Sequence, residues 1–155
     1  MSATEIPPDQ VAEVETVVRA LDSKQREVAL YALKVLASGC FQRADIRDPE
    51  LFVRLICALG NFLSDATLDA ESIGHAAQVI LTFFHEDCGK IKLSRNYLDS
   101  QMLEGLHRAY DSLDLDAHRD ILQKVFRAAE RIGGPIEGKR LRDKGTKRLR
   151  REVLQ

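Results

Sequence analysis

The sequence predicts an all-α fold of about six amphipathic helices in one domain, with a basic C-terminal extension. The helices are expected to pack as an orthogonal bundle or as a small helical-repeat array of the armadillo or HEAT kind. Three observations carry this. Apolar residues recur at three- and four-residue intervals in segment after segment, the period of one helix face. No segment alternates apolar and polar residues as a half-buried strand does. The 155 residues are 45% hydrophobic and 30% charged but only 6% aromatic, with no Trp, a composition that supports one core and fits helices better than sheets.

Pro8-Asp9 opens the first helix, on which Val11, Val14, Val17, Val18 and Leu21 share one face. A second helix begins near Leu21-Asp22-Ser23, with Val28, Tyr31, Ala32, Val35 and Leu36 as its apolar face and Gly39 as its stop. Residues 41–47 form a short connection of about one turn. Asp48-Pro49-Glu50 is a strong helix start. Asp caps free amides, Pro at the first helical position needs no donor, and Glu suits the positive end of the dipole. Between Leu51 and Leu63 only Arg54 and Asn61 are strongly polar, so this third helix is expected at the centre of the fold.

The fourth helix is expected from near Asp69 to Gly89, with Ile73, Ala76, Ala77, Ile80, Leu81, Phe83 and Phe84 on one side. Glu71, His75, Gln78, Thr82 and His85 form a polar stripe opposite. Residues 90–94 read as a linker. The fifth helix carries Leu98, Met102, Leu103, Leu106, Tyr110 and Leu113. The sixth carries Ile121, Leu122, Val125, Phe126, Ala129 and Ile132 before Gly133-Gly134-Pro135 breaks it. Leu-Asp pairs at 21–22, 68–69, 98–99 and 115–116 each stand where a helix should begin, the Asp as cap and the Leu as staple. Their uneven spacing makes them helix starts rather than copies of a repeat.

The charge is distributed unevenly. Residues 137–155 hold eight Lys/Arg against three Asp/Glu, a net of +5, which leaves 15 against 21, a net of −6, for the rest. Lys139-Arg140-Leu141-Arg142 and Lys147-Arg148-Leu149-Arg150 are two copies of one tetrapeptide, each like a short nuclear import signal. Lys144 and Arg151 complete the basic set, and Lys124, Arg127 and Arg131 extend it onto the sixth helix. No aromatic residue lies between the basic residues of 139–151, which argues against stacking of the tail on single-stranded bases. Leu141, Leu149, Val153 and Leu154 leave open a helix with one apolar side, docked on a partner or on the acidic body.

Motifs for chemistry are sparse. The sequence has no Gly-x-Ser-x-Gly elbow, no phosphate loop ending in Gly-Lys-Ser/Thr and no dinucleotide fingerprint. His85 and Cys88, three apart, are the best pair for a metal, but no second pair accompanies them. His75 is ten residues earlier, about 15 Å along the same helix, too far to join them. Cys57, on the most apolar helix, reads as a protonated small hydrophobe rather than a nucleophile. The cysteines Cys40, Cys57 and Cys88 are odd in number and lack a Cys-x-x-Cys pairing, which points to a reducing compartment.

The expectation is therefore a flexible stretch over residues 1–7, a helical domain over 8–134 and a basic tail over 135–155. Its function is expected to be non-enzymatic: a protein-interaction or adaptor module, intracellular, cytoplasmic or nuclear, with no cofactor, bound metal or membrane span. Its candidate partner groove lies near Arg54 and Asn61 or along the fourth helix, at His75 and Gln78. The tail, Lys139, Arg140, Arg142, Lys144, Lys147, Arg148, Arg150 and Arg151, is its candidate contact to an acidic partner. Nucleic-acid phosphates contacted by the tail are the alternative. A helical enzyme or metal site near His85 and Cys88 is the third reading.

Overall fold

Among the described residues seven α-helices and one short 3₁₀ turn follow one another, and no strand occurs. The computed structural model describes the backbone of residues 8–84 and 95–154 and the side-chain surroundings of residues 13–84 and 101–150. The elements are α1 (Pro8–Ala20), α2 (Arg26–Ala37), the 3₁₀ turn (Arg43–Asp45), α3 (Pro49–Ser64), α4 (Ala70–Phe83), α5 (Arg95–Ser112), α6 (Arg119–Gly133) and α7 (Pro135–Leu154). Residues 1–7, the linker and the His85/Cys88 pair lie outside the described residues.

Local chemistry sets most boundaries. Asp48 accepts the Glu50 amide at 3.0 Å with Pro49 behind it, so α3 starts where the sequence places it. Gly39 takes φ +88°, the left-handed conformation that closes α2. The fourth helix, expected to reach Gly89, ends at Phe83 instead. There the Arg131 guanidinium takes the carbonyls of Leu81 (3.4 Å) and Phe84 (2.8 Å), so a side chain from α6 finishes the helix.

The Leu-Asp starts need correcting. Leu98-Asp99 lies inside α5, which begins at Arg95, and Asp69 stands at the N-cap of α4 without accepting a bond. The carboxylates that organise the turns lie upstream. Asp65 accepts from the Thr67 amide and hydroxyl, and Asp114 accepts from the amides of Asp116 and Ala117. These are Asx-type bonds to a residue two or three places on.

Every helix up to α5 touches the helix two places further along: α1 on α3, α2 on α4, α3 on α5, α4 on α6 and α5 on α7. Pairs α1–α2, α3–α4, α5–α6 and α6–α7 also touch. That is the neighbour order of stacked helix pairs in two layers, closed here into one compact domain. The core runs through both layers. Helices α3 and α4 each bury eight residues, so they share the centre that the sequence assigns to the third helix alone. Phe52 of α3 and Phe84 at the end of α4 meet with ring centroids 5.4 Å apart, and the Arg43 guanidinium sits 4.1 Å over the Phe52 ring.

On α2 the buried stripe is Ala29, Ala32, Leu33 and Leu36, while Val28 and Tyr31 are 41% and 70% exposed. The expected face is thus rotated by about one residue, or ~100°. Two apolar stripes overlap on this helix, and the one with two alanines lets α1 and α4 approach closely. On and beside α5 and α6 the periodicity selects the buried Met102, Leu106, Leu113, Leu122, Val125 and Ala129, misses the buried Ala109 and Ala128, and also picks Leu103, Tyr110, Ile121, Phe126 and Ile132, which are half-buried.

Parallel helices α3 and α5 are held by a clamp that recurs twice. Arg108 of α5 donates to the Leu63 carbonyl (3.0 Å), Arg131 of α6 to the end of α4, and Arg148 of α7 to the Tyr110 carbonyl (3.2 Å). Each time an arginine two helices on satisfies carbonyls that a helix C-terminus leaves without partners. Between α3 and α5 the approach is tight enough that a Cβ on Gly105 would lie 2.5 Å from Leu63 Cβ and 2.6 Å from its carbonyl oxygen. Gly105→Ala is expected to cost about 2 kcal/mol through the shift it forces. A thermal melt unchanged from the parent chain would refute the close packing.

Asp65 joins three elements. Its carboxylate accepts from Thr67 and from the Arg26 guanidinium of α2 (2.5 Å). The Thr67 hydroxyl and amide, then Arg26, hold it down at about 2, against an ordinary value of 3.8. The folded chain binds this proton less tightly than the unfolded chain does. The stabilisation is therefore complete above about pH 4 and is lost as pH falls towards 2. Asp65→Asn is expected to flatten the fall of stability across that window, and parallel curves for the two proteins would contradict the assignment.

Candidate binding surface

The basic C-terminal segment is a folded helix. Gly134, at φ +83°, closes α6, and Pro135 opens α7 with Glu137 in its first turn. Gly138, Leu141 and Gly145 are spaced three and four apart on one face, and all three are buried. That face lies against α5 and α6. An added Cβ on Gly145 would come within 2.8 Å of the Tyr110 hydroxyl, and one on Gly138 within 2.5 Å of Glu130 Cγ. Leu141 is fully buried. Of the apolar residues expected to make one side of this helix, Leu141 docks on the chain's own body while Leu149 is exposed, and the described residues hold seven helices where about six are expected.

Polar contacts line both edges of this seam. His107 of α5 and Glu137 meet at 2.8 Å, with side chains only 17% and 12% exposed. Arg140 pairs with the other Glu137 oxygen at 3.2 Å, and Lys144 with Asp111 at 3.4 Å. Arg142 lies over the Phe126 ring of α6, 5.4 Å from its centroid. The first tetrapeptide copy, Lys139 to Arg142, is thereby folded into a helix with its leucine inside.

The eight basic residues of the segment therefore divide. Arg140, Arg142, Lys144 and Arg148 are engaged with Glu137, Phe126, Asp111 and Tyr110. Lys139, Lys147 and Arg150 are exposed, and no hydrogen bond or ion pair to them occurs among the described residues. At 100° per residue these three fall within about 80° of one another, on the side away from the buried stripe. Asp143 shares that side. The Arg151 side chain is outside the described residues. On α6, Lys124 and Arg127 are exposed as expected, but Arg131 is turned in as the cap of α4.

The residues of the two expected groove positions lie in two places. Arg54 is paired with Asp22 at 3.8 Å, and Asn61 lines a cleft of about 320 Å³ beside the α1–α2 turn. Gln78 lines a different cleft, of about 780 Å³, with Arg127, Glu130 and Arg131. Its side-chain amide donates to the Thr82 hydroxyl, which donates to the Gln78 carbonyl. His75 is half-buried on the same helix. Arg54 and Asn61 thus flank one turn, while His75 and Gln78 belong to the α4 face.

Among the described residues no three His, Cys, Asp or Glu side chains are grouped to hold a metal ion. Cys57 is half-buried and Cys40 exposed, with the Ser38 hydroxyl 3.1 Å from its sulfur. No described helix is long and apolar enough to cross a membrane. Fold and surface together define an all-helical domain that carries one basic helix face. Comparison with family models, curated proteins and solved structures found no match, so the functional reading rests on the residues themselves.

Proposed function

We propose that this protein is a non-enzymatic interaction module that binds an acidic protein segment along the outer face of α7. The observation that carries the reading is the position of Lys139, Lys147 and Arg150. They form an outward basic row on a helix that buried Leu141, Gly138 and Gly145 hold against the body. A docked helix presents charge without having to order a tail first, so less of the binding energy is lost to ordering. Asp143 sits within the row and Glu137 and Asp111 neutralise its flanks, which suits carboxylates at intervals better than an unbroken line of phosphates.

Deleting the segment is a poor test, because it also strips cover from the core. The better variant reverses charge at three exposed residues of the outer face: Lys139→Glu, Lys147→Glu and Arg150→Glu together. Fluorescence anisotropy with a labelled Glu-rich helical peptide and with a labelled DNA duplex, at low and near-physiological salt, separates the readings. Peptide binding that the triple variant loses supports the proposal. Duplex binding without peptide binding would move the surface to nucleic-acid phosphates.

A further inference from the structure

We infer that the acidic partner carries an apolar anchor, a large aliphatic or aromatic side chain flanked by carboxylates. The anchor seats in the cleft where the end of α5, the start of α6 and the end of α7 meet. This rests on the reading of α7 as a binding face and adds the chemistry of the occupant. The cleft has a volume of about 320 Å³ and walls formed by Tyr110, Leu115, Leu122, Phe126 and Leu149. Leu149 is 53% exposed. It lies on the flank of α7 that faces α6, between the buried stripe and Arg150, where a solvated helix would carry a polar residue. A cavity of about 150 Å³ admits a benzene ring, so this cleft has room for one large side chain and the backbone bearing it.

The charges around the cleft select the flanking residues. Arg119 lines it, Arg142 lies over Phe126 of its wall, Arg148 reaches the Tyr110 carbonyl, and Arg150 follows Leu149. Two carboxylates, Asp116 in the wall and Asp114 behind it, offset part of this charge, and Asp114 is already engaged with two amides. The four basic residues named at this cleft, Arg119, Arg142, Arg148 and Arg150, are all arginines. Arginine presents a planar fork that grips a carboxylate at two points and stacks on aromatic faces, which lysine does not. An apolar floor ringed by such forks matches an acidic helix with one central hydrophobe, held as a helix in a groove.

The test uses the full chain and two fluorescein-labelled peptides of about 20 residues, the length of α7. One is built of Glu and Ala with a central Phe, and the other has Ala in its place. The Phe peptide is expected to bind at least about tenfold tighter. Leu149→Ser, at a half-exposed position that leaves the core intact, is expected to erase that difference while leaving the weak salt-sensitive binding of the Ala peptide. Equal affinity of the two peptides would overturn the anchor and leave the basic-face reading standing. A Phe preference that survives Lys139→Glu, Lys147→Glu and Arg150→Glu at unchanged affinity would keep the cleft and remove the basic face. No binding of either peptide at low salt would remove both.

Discussion

Leu141→Ala lowers the stability of the whole domain by about 3 kcal/mol, the middle of the range for emptying a buried leucine site. For a chain of this size that is a fall of roughly 6–12 °C in Tm. The position is fully buried within a segment whose composition alone reads as a charged tail. Its neighbours are held in place by the His107–Glu137 bond on one side and by the Arg142–Phe126 contact on the other. The cavity left by alanine therefore has little freedom to close. A chain ended after Gly134 is expected to behave worse still, melting lower and associating, because faces of α5 and α6 lose their cover. Differential scanning calorimetry decides the matter. An unchanged melt in Leu141→Ala would mean that α7 is not part of the cooperative unit.

Reversing Lys139, Lys147 and Arg150 weakens binding of an acidic peptide by about 100-fold at low salt. Each exposed pair contributes on the order of 0.5 kcal/mol, and each reversal replaces that attraction by a repulsion of similar size. Three positions give about 3 kcal/mol, or about two decades. The effect shrinks as salt rises, because at 0.1 M the screening length is about 10 Å. The same variant should melt within about 5 °C of its parent, since none of the three side chains is buried and each exposed change shifts stability by about 0.5 kcal/mol at most. That contrast distinguishes a binding defect from a folding defect. Isothermal titration at two salt concentrations with a parallel melt reads both, and equal affinities would exclude this face.

The fold class and much of the buried face of α1 and of α3 to α6 were legible because both depend on local periodicity. Ile73, Ala76, Ala77 and Ile80 on α4 and Met102 and Leu106 on α5 are buried as their spacing requires. The failures are also physical. On α2 two apolar stripes overlap, and which one turns inward is decided by neighbours that periodicity does not name; Val28 and Tyr31 lost to Ala29 and Leu33. Helix ends set by long-range arginines, such as Arg131 on the carbonyls of α4, leave no local signal beyond a basic residue near a helix terminus.

The surface was legible in part. Residues 137–155 stand out by charge, but which of the eight basic groups remain outside depends on Glu137, Asp111, Phe126 and Tyr110 meeting them across the fold. One local clue was present in the sequence: Gly138, Leu141 and Gly145 recur at helical spacing between the charges. Arg54 and Asn61 stood out as polar interruptions of the third helix, and His75 and Gln78 as part of the polar stripe of the fourth; neither pattern says which cleft such a residue lines.

The central claim is that residues 135–154 form a helix docked on α5 and α6, so that its outer charges stand in fixed positions. Amide hydrogen exchange over this segment in the free chain tests it most directly. The account predicts that the amides from about Gly138 to Arg148 are protected together with those of α6 and exchange only when the domain opens. Exchange across that stretch at the rate of an unstructured peptide, while α6 stays protected, would contradict it.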